Sequence, residues 1–148
     1  MRKVMLVFAV SLAMMTGSIA FAGNQSAQMQ TVPPKARLYE KGTIGSVPYL
    51  TGGVGQNERA AMMPLEKDYN LKLVFALRSG PYLANPMVTV QDKNGKDVIH
   101  MRSDGPWFLV KLPAGEYTVI ASRDGHRIER EHVKVGQELQ TTEFVWKS

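Results

Sequence analysis

Asp104-Gly-Pro-Trp-Phe-Leu-Val-Lys-Leu-Pro-Ala-Gly-Glu-Tyr-Thr-Val-Ile-Ala121 reads as two apolar strands joined by a proline-glycine corner. Between Trp107 and Leu112 nearly every residue is apolar, whereas Tyr117, Val119 and Ala121 recur at every second position, the period of a strand with one buried face. Pro113 has no N–H to give to a ladder and Gly115 tolerates positive φ, so Leu-Pro-Ala-Gly ends one strand and turns into the next. Just past the corner, Tyr117 is placed to bury its ring while its hydroxyl bonds back to the turn backbone.

Outward from that hinge the same grammar repeats. Leu71, Leu73, Phe75 and Leu77 alternate, and a Ser79-Gly80-Pro81 turn follows. Val88 and Val90 share a face within Met87 to Gln91. Asp92-Lys-Asn-Gly-Lys-Asp97 predicts a hairpin, because Asn94-Gly95 suits positive φ in a tight turn. Val98 to Arg102, Glu116 to Ser122, Arg127 to Val135 and Leu139 to Trp146 complete seven short strands, with Asp124-Gly125 and Gly136-Gln137 as further turns. Strands of this length at this spacing predict an all-β, seven-stranded antiparallel sandwich over 71–148.

Upstream, Arg2 and Lys3, the uncharged apolar run Val4 to Ala20, and Ala20-Phe21-Ala22 predict a cleaved secretory signal peptide over 1–22. That implies a periplasmic or secreted protein whose membrane contact is through the signal alone. Without cysteine there is neither a lipid attachment site nor a disulfide, so apolar burial must hold the fold. Removal leaves 148 − 22 = 126 residues, room for one domain, and 16 basic against 13 acidic side chains, a formal +3. A charge of that size speaks for solubility and not for nucleic acid.

Residues 23–37 lack a hydrophobic period and read as a flexible leader; 38–70 read as an N-terminal extension. Within it, Ala36 to Leu50 predicts one short strand or an extended wrap at most, and Thr51 to Pro64 a glycine-rich turn feeding a short helix. Gln56 or Asn57 stands near the helix start, and Glu58 falls where a carboxylate favours the dipole. Gly53, Gly55, Glu58 and Arg59 are the candidate binding residues. The glycine turn either holds an anion on its N–H groups or is a plain turn before a packed Ala60/Met63 face. The helix either makes a specific contact or caps an open end of the sandwich.

The order of strands, with Asp104, Gly105, Trp107, Pro113, Gly115 and Tyr117 at its centre, resembles the carboxypeptidase regulatory-like domain, a prealbumin-like sandwich, over about Leu71 to Trp146. The resemblance implies a stand-alone binding, folding or interaction module with no catalytic residues, cofactor or metal of its own. Reactive relatives do not fit: Ala121 stands where adhesin domains of the collagen-binding B type carry their catalytic glutamate, and the terminus Phe-Val-Trp-Lys-Ser148 differs from the Tyr-Arg-Gly-Ser of the hydroxyisourate hydrolases. The two-tyrosine, two-histidine iron set of the intradiol dioxygenases is not supported by local spacing. His126 and His132, six residues apart on one straight strand, are about 20 Å distant and cannot share an ion. The expected partner is an envelope protein or, alternatively, a small ligand or carbohydrate. Solvent-facing Trp107 or Trp146 beside a cleft favours sugar; buried tryptophans with an apolar patch near Gly52 to Met63 favour a protein.

Overall fold

The computed structural model describes residues 38–83 and 85–147; the expected signal peptide and leader lie outside them. Nine strands are present among the described residues: β1 Tyr39–Ile44, β2 Val47–Gly52, β3 Leu71–Leu77, β4 Met87–Gln91, β5 Asp97–Arg102, β6 Trp107–Val110, β7 Gly115–Arg123, β8 His126–Val135 and β9 Gln140–Trp146. One helix, α1 Gln56–Met62, runs on into a 3-10 segment, Met63–Asp68. The strands form a five-stranded sheet, β1-β2-β6-β3-β9, and a four-stranded sheet, β5-β4-β7-β8, a mostly β sandwich.

The inner faces follow the period of two. Leu71, Leu73 and Phe75 from β3 meet Val88 and Val90 from β4, and Val119 and Ala121 from β7, all fully or almost fully buried. Phe75 packs against Phe144 and Trp146 with ring centroids 5.8 and 6.2 Å apart. Each such aromatic removes enough apolar surface from water to stabilise the fold by roughly 2–3 kcal/mol relative to exposure, which is how a cysteine-free sandwich holds.

A second, smaller core lies on the outer face of the five-stranded sheet. Leu50, Met62, Tyr69 and Leu109 are buried there, with Leu65 and Trp107 packed against them. β6 is therefore covered on both faces, which is why its sequence is continuously apolar instead of alternating. The helix covers this face; it does not cap an end of the sandwich.

Four expectations need correction. The sandwich is not wholly antiparallel: β3 and β9 pair in parallel from Leu71 opposite Gln140 to Leu77 opposite Trp146. Parallel neighbours need a long connection, and here the rest of the sandwich supplies it. Residues 38–52 form two strands, not one, and extend the same sheet beyond β6. Their pattern is masked by Gly42 and Pro48: the Tyr49 ring lies over Gly42, where a Cβ would stand 2.9 Å from it. Pro48 lies outside the β2–β6 register, which starts at Tyr49, yet its carbonyl accepts from Lys111 N–H. Gly115 does not adopt positive φ; it begins β7 opposite Val135, with its α-carbon against the Tyr117 ring. In the Asp92–Asp97 hairpin only Gly95 has positive φ, at 77°, while the Asp92 carboxylate accepts from the amides of Asn94 and Lys96 and shapes a longer loop.

The tyrosine contact at the corner forms as the sequence predicts. Tyr117 is 7% exposed and its hydroxyl donates to the Pro113 carbonyl at 2.7 Å. Val119 is fully buried beside it. Opposite, the Ser103-Asp104-Gly105 turn is locked to β2: buried Thr51 and Ser103 share a hydroxyl hydrogen bond of 2.9 Å, Thr51 Oγ1 accepts from Asp104 N–H, and Ser103 Oγ donates to the Gly105 carbonyl.

Candidate functional site

β2 delivers the chain to Gly53, whose φ of 86° strains any side chain and whose neighbours are tight: a Cβ would stand 3.2 Å from Trp107 Cγ and 3.3 Å from Arg59 Cγ. Val54 and Gly55 follow, and Gly55 caps α1 without a side-chain bond. The cap is thus Gly55 and not Gln56 or Asn57. Glu58 Oε2 reaches back past the cap to accept from Gly53 N–H at 3.1 Å and Val54 N–H at 2.9 Å, so it ties down the turn that precedes the helix.

Arg59 takes the other side of the same backbone. Its Nη1 donates to the Gly53 carbonyl at 2.8 Å and the Val54 carbonyl at 3.2 Å, and its guanidinium lies 5.0 Å from the Tyr82 ring centroid. Glu58 and Arg59 therefore clamp one glycine turn from its donor and acceptor sides. Three predicted site residues, Gly53, Glu58 and Arg59, come together; Gly55 contributes only the helix start, with open space around its α-carbon. The turn does present N–H groups to an anion, but that anion is the chain's own carboxylate, so a free phosphate would first have to displace Glu58.

Around the clamp the surface is apolar. Val54 is 59% exposed, Met63 61% and Tyr82 49%. Met63 follows Arg59 by four residues, one helical turn along the same face, and its N–H bonds the Arg59 carbonyl. Tyr82 comes from the loop after β3, held by a bridge to Ala76. The Ala60/Met63 face expected to pack is instead exposed, because Met62 is the helix residue that turns into the core, and no sequence period singles out Tyr82.

The two tryptophans differ. Trp146 is 6% exposed and belongs to the interior, its Nε1 near the His126 carbonyl at 3.4 Å. Trp107 is half-buried on the outer face, with Gly53 on one side and Lys72 Nζ 3.5 Å from its ring centroid. Lys72, largely buried, also bonds Glu66 of the 3-10 segment. Both indoles are thus engaged by the protein itself.

Elsewhere, His100 bonds Thr89 and His132 bonds Glu116. His132 sits at φ 55° in a bulge of β8 opposite β7, so that strand is not the straight one its spacing assumes. The Glu116 carboxylate holds the His132 imidazole above its ordinary pKa. Among the described residues no three His, Asp or Glu side chains group as metal ligands would, and no helix is long and apolar enough to cross a membrane. No protein-family model matches the chain and no curated protein matches it by sequence.

Proposed function

We propose that this chain is an exported, non-catalytic β-sandwich of the prealbumin-like, carboxypeptidase regulatory-like kind that acts by binding an envelope protein through the Val54–Arg59–Met63–Tyr82 surface. Strands β3 to β9 support the fold reading, since on their own they make a three-on-four sandwich to which β1 and β2 are added. The exported location rests on the Arg2–Ala22 signal pattern.

The observation that carries the binding reading is the contrast in exposure. Trp146 is enclosed by the interior and Trp107 is half-buried with its ring engaged by Lys72 and Gly53, whereas Val54, Met63 and Tyr82 present apolar area around a fixed guanidinium. Aromatic and arginine side chains with an apolar surround are the composition that concentrates binding energy at protein interfaces. A sugar platform needs an open aromatic face, and the half-exposed ring available, Tyr82, already carries Arg59.

The test is site-specific photocrosslinking in cells from position 63, with position 93 as a control remote from α1. A discrete protein adduct from 63, lost when Tyr82→Ala and Val54→Asp are introduced and not formed from 93, is expected. Adducts of equal yield from both positions, or saturable binding of a soluble glycan that Trp107→Ala abolishes, would overturn the reading.

A further inference from the structure

Among the described residues no helix lies across the outer face of the four-stranded sheet, and its strand register sets up a second site. Met87 pairs with Arg102 on one side and with Ser122 on the other, so these three side chains leave the same face in one row. Val88, next along β4, points into the core, which fixes Met87 and its row outward. The row borders a cleft of about 520 Å³ whose remaining walls are Asn85, Arg123 and the Asp124-Gly125 turn. That volume falls in the range of roughly 300–1,000 Å³ typical of small-molecule sites.

Two arginines, Arg102 on the row and Arg123 at the rim beside the Asp124-Gly125 turn, line this space with one carboxylate, Asp124. Arg102 Nη1 donates to the Asn85 carbonyl at 3.2 Å, which fixes the group at the wall while using one of its five N–H donors. Asn85 is in the left-handed region, φ 65°, and that turns its carbonyl to the arginine. Arg123 Nε lies 3.3 Å from Asp124 Oδ2, but the Asp124 side chain is 82% exposed, so water and salt weaken its hold. Two cations less one anion leave the lining at +1.

We propose that this cleft binds a small oxyanion, a carboxylate or a phosphate, between Arg102 and Arg123, with Ser122 as an additional donor and Met87 as the apolar floor. Planar guanidinium forks match the oxygen spacing of both groups. The same sheet supplies the contrast: a cleft of about 330 Å³ beside the β4–β5 hairpin is lined by Asp92, Glu116 and Glu131 with Lys93 and His132, so an anion meets three carboxylates there. The site is independent of the α1 surface and stands whether or not that surface takes a protein.

The experiment is an amide NMR titration of the mature protein with inorganic phosphate and, separately, succinate, each against sodium chloride of equal ionic strength. Saturable shifts at Asn85, Arg102, Ser122 and Gly125 are expected, and the tighter anion identifies the source as phosphate or carboxylate. Arg102→Gln and Arg123→Gln should each weaken binding about tenfold, the worth of one charge-assisted hydrogen bond to the anion. Lys93→Gln should leave it unchanged, and Asp124→Asn should tighten it by freeing Arg123, a gain no purely structural role would give. Shifts that do not saturate, that chloride reproduces, or that survive in the Arg102→Gln/Arg123→Gln double variant would overturn the proposal; thermal melts of each variant separate weakened binding from weakened folding.

Discussion

The α-carbon of Gly105 lies against the Gly52 carbonyl so closely that a Cβ at position 105 would stand 2.1 Å from that oxygen. The neighbour is backbone, pinned by the Thr51–Ser103 hydroxyl pair and by the β2–β6 ladder, so it has little room to withdraw. Gly105→Ala should therefore cost about 3 kcal/mol, at the upper end for overpacking, visible as a lower urea midpoint at unchanged slope. Gly125→Ala, where the space is open but φ is 79°, should cost only about 1 kcal/mol, from backbone strain alone. Equal effects at the two sites would remove the clash with Gly52 as the cause.

Asn70 joins three connections of the sandwich. Its Nδ2 donates to the carbonyls of Leu112 and Gly136, its Oδ1 accepts from Leu112 N–H, and its own backbone bonds Val110 and Gln140. The residue is 2% exposed, so the partners abandoned by Asn70→Ala have no ready access to water. A loss of about 3 kcal/mol is expected, roughly one per side-chain bond. Asn70→Asp should be at least as damaging, because it puts a carboxylate oxygen where an N–H₂ group faced two carbonyl oxygens. Chemical denaturation of both variants checks the order.

Tyr49, Tyr69 and Tyr117 all have pKa values raised above the ordinary 10.0. At Tyr49 the hydrogen bond to Glu40 is the largest cause; at Tyr69 and Tyr117 it is burial. A raised pKa in the folded state means the unfolded chain releases these protons first as pH climbs. The stability they contribute is complete below pH 10.0 and disappears as pH rises through the folded values. Melting temperature should thus fall steeply above pH 10.0, and Tyr117→Phe should blunt the fall while lowering the plateau by about 1 kcal/mol, the worth of its bond to Pro113.

His132 gives a test nearer neutrality. Its imidazole is held above 6.5 chiefly by the hydrogen bond to Glu116, so its NMR titration midpoint should lie above that of an unpaired histidine. Glu116→Gln should return it toward 6.5. The pairing favours the folded state below pH 6.5, and that stabilisation disappears as pH rises through the folded pKa. A midpoint unmoved by Glu116→Gln would remove the carboxylate as the cause.

Strands such as β3 and β4 were legible because each buries one face of alternating residues, and β6 because it buries both, while β8, mostly exposed until Val133, was legible from the turns that bound it. The β1–β2 hairpin was not, because Gly42 and Pro48 break the alternation and the covering group, the Tyr49 ring, comes from the partner strand. Gly53, Glu58 and Arg59 stand out in the sequence as a glycine-rich turn with charges at the helix start. Their use on one another was not visible, since a sequence names donors and acceptors without saying which meet. Arg102 and Arg123 stand in different strands, and no local spacing connects them.

Alternation, turn residues and a polar, cysteine-free surface determined from the sequence alone that this chain closes as facing β-sheets, because burial of apolar side chains is periodic along a strand and readable one strand at a time. The parallel β3–β9 seam, the helix laid over β6, the Glu58–Arg59 clamp and the cleft that both Arg102 and Arg123 line were decided only by tertiary structure. Each depends on residues brought together from distant strands or on the choice among competing hydrogen-bond partners, and that choice is made by the packing of the whole domain.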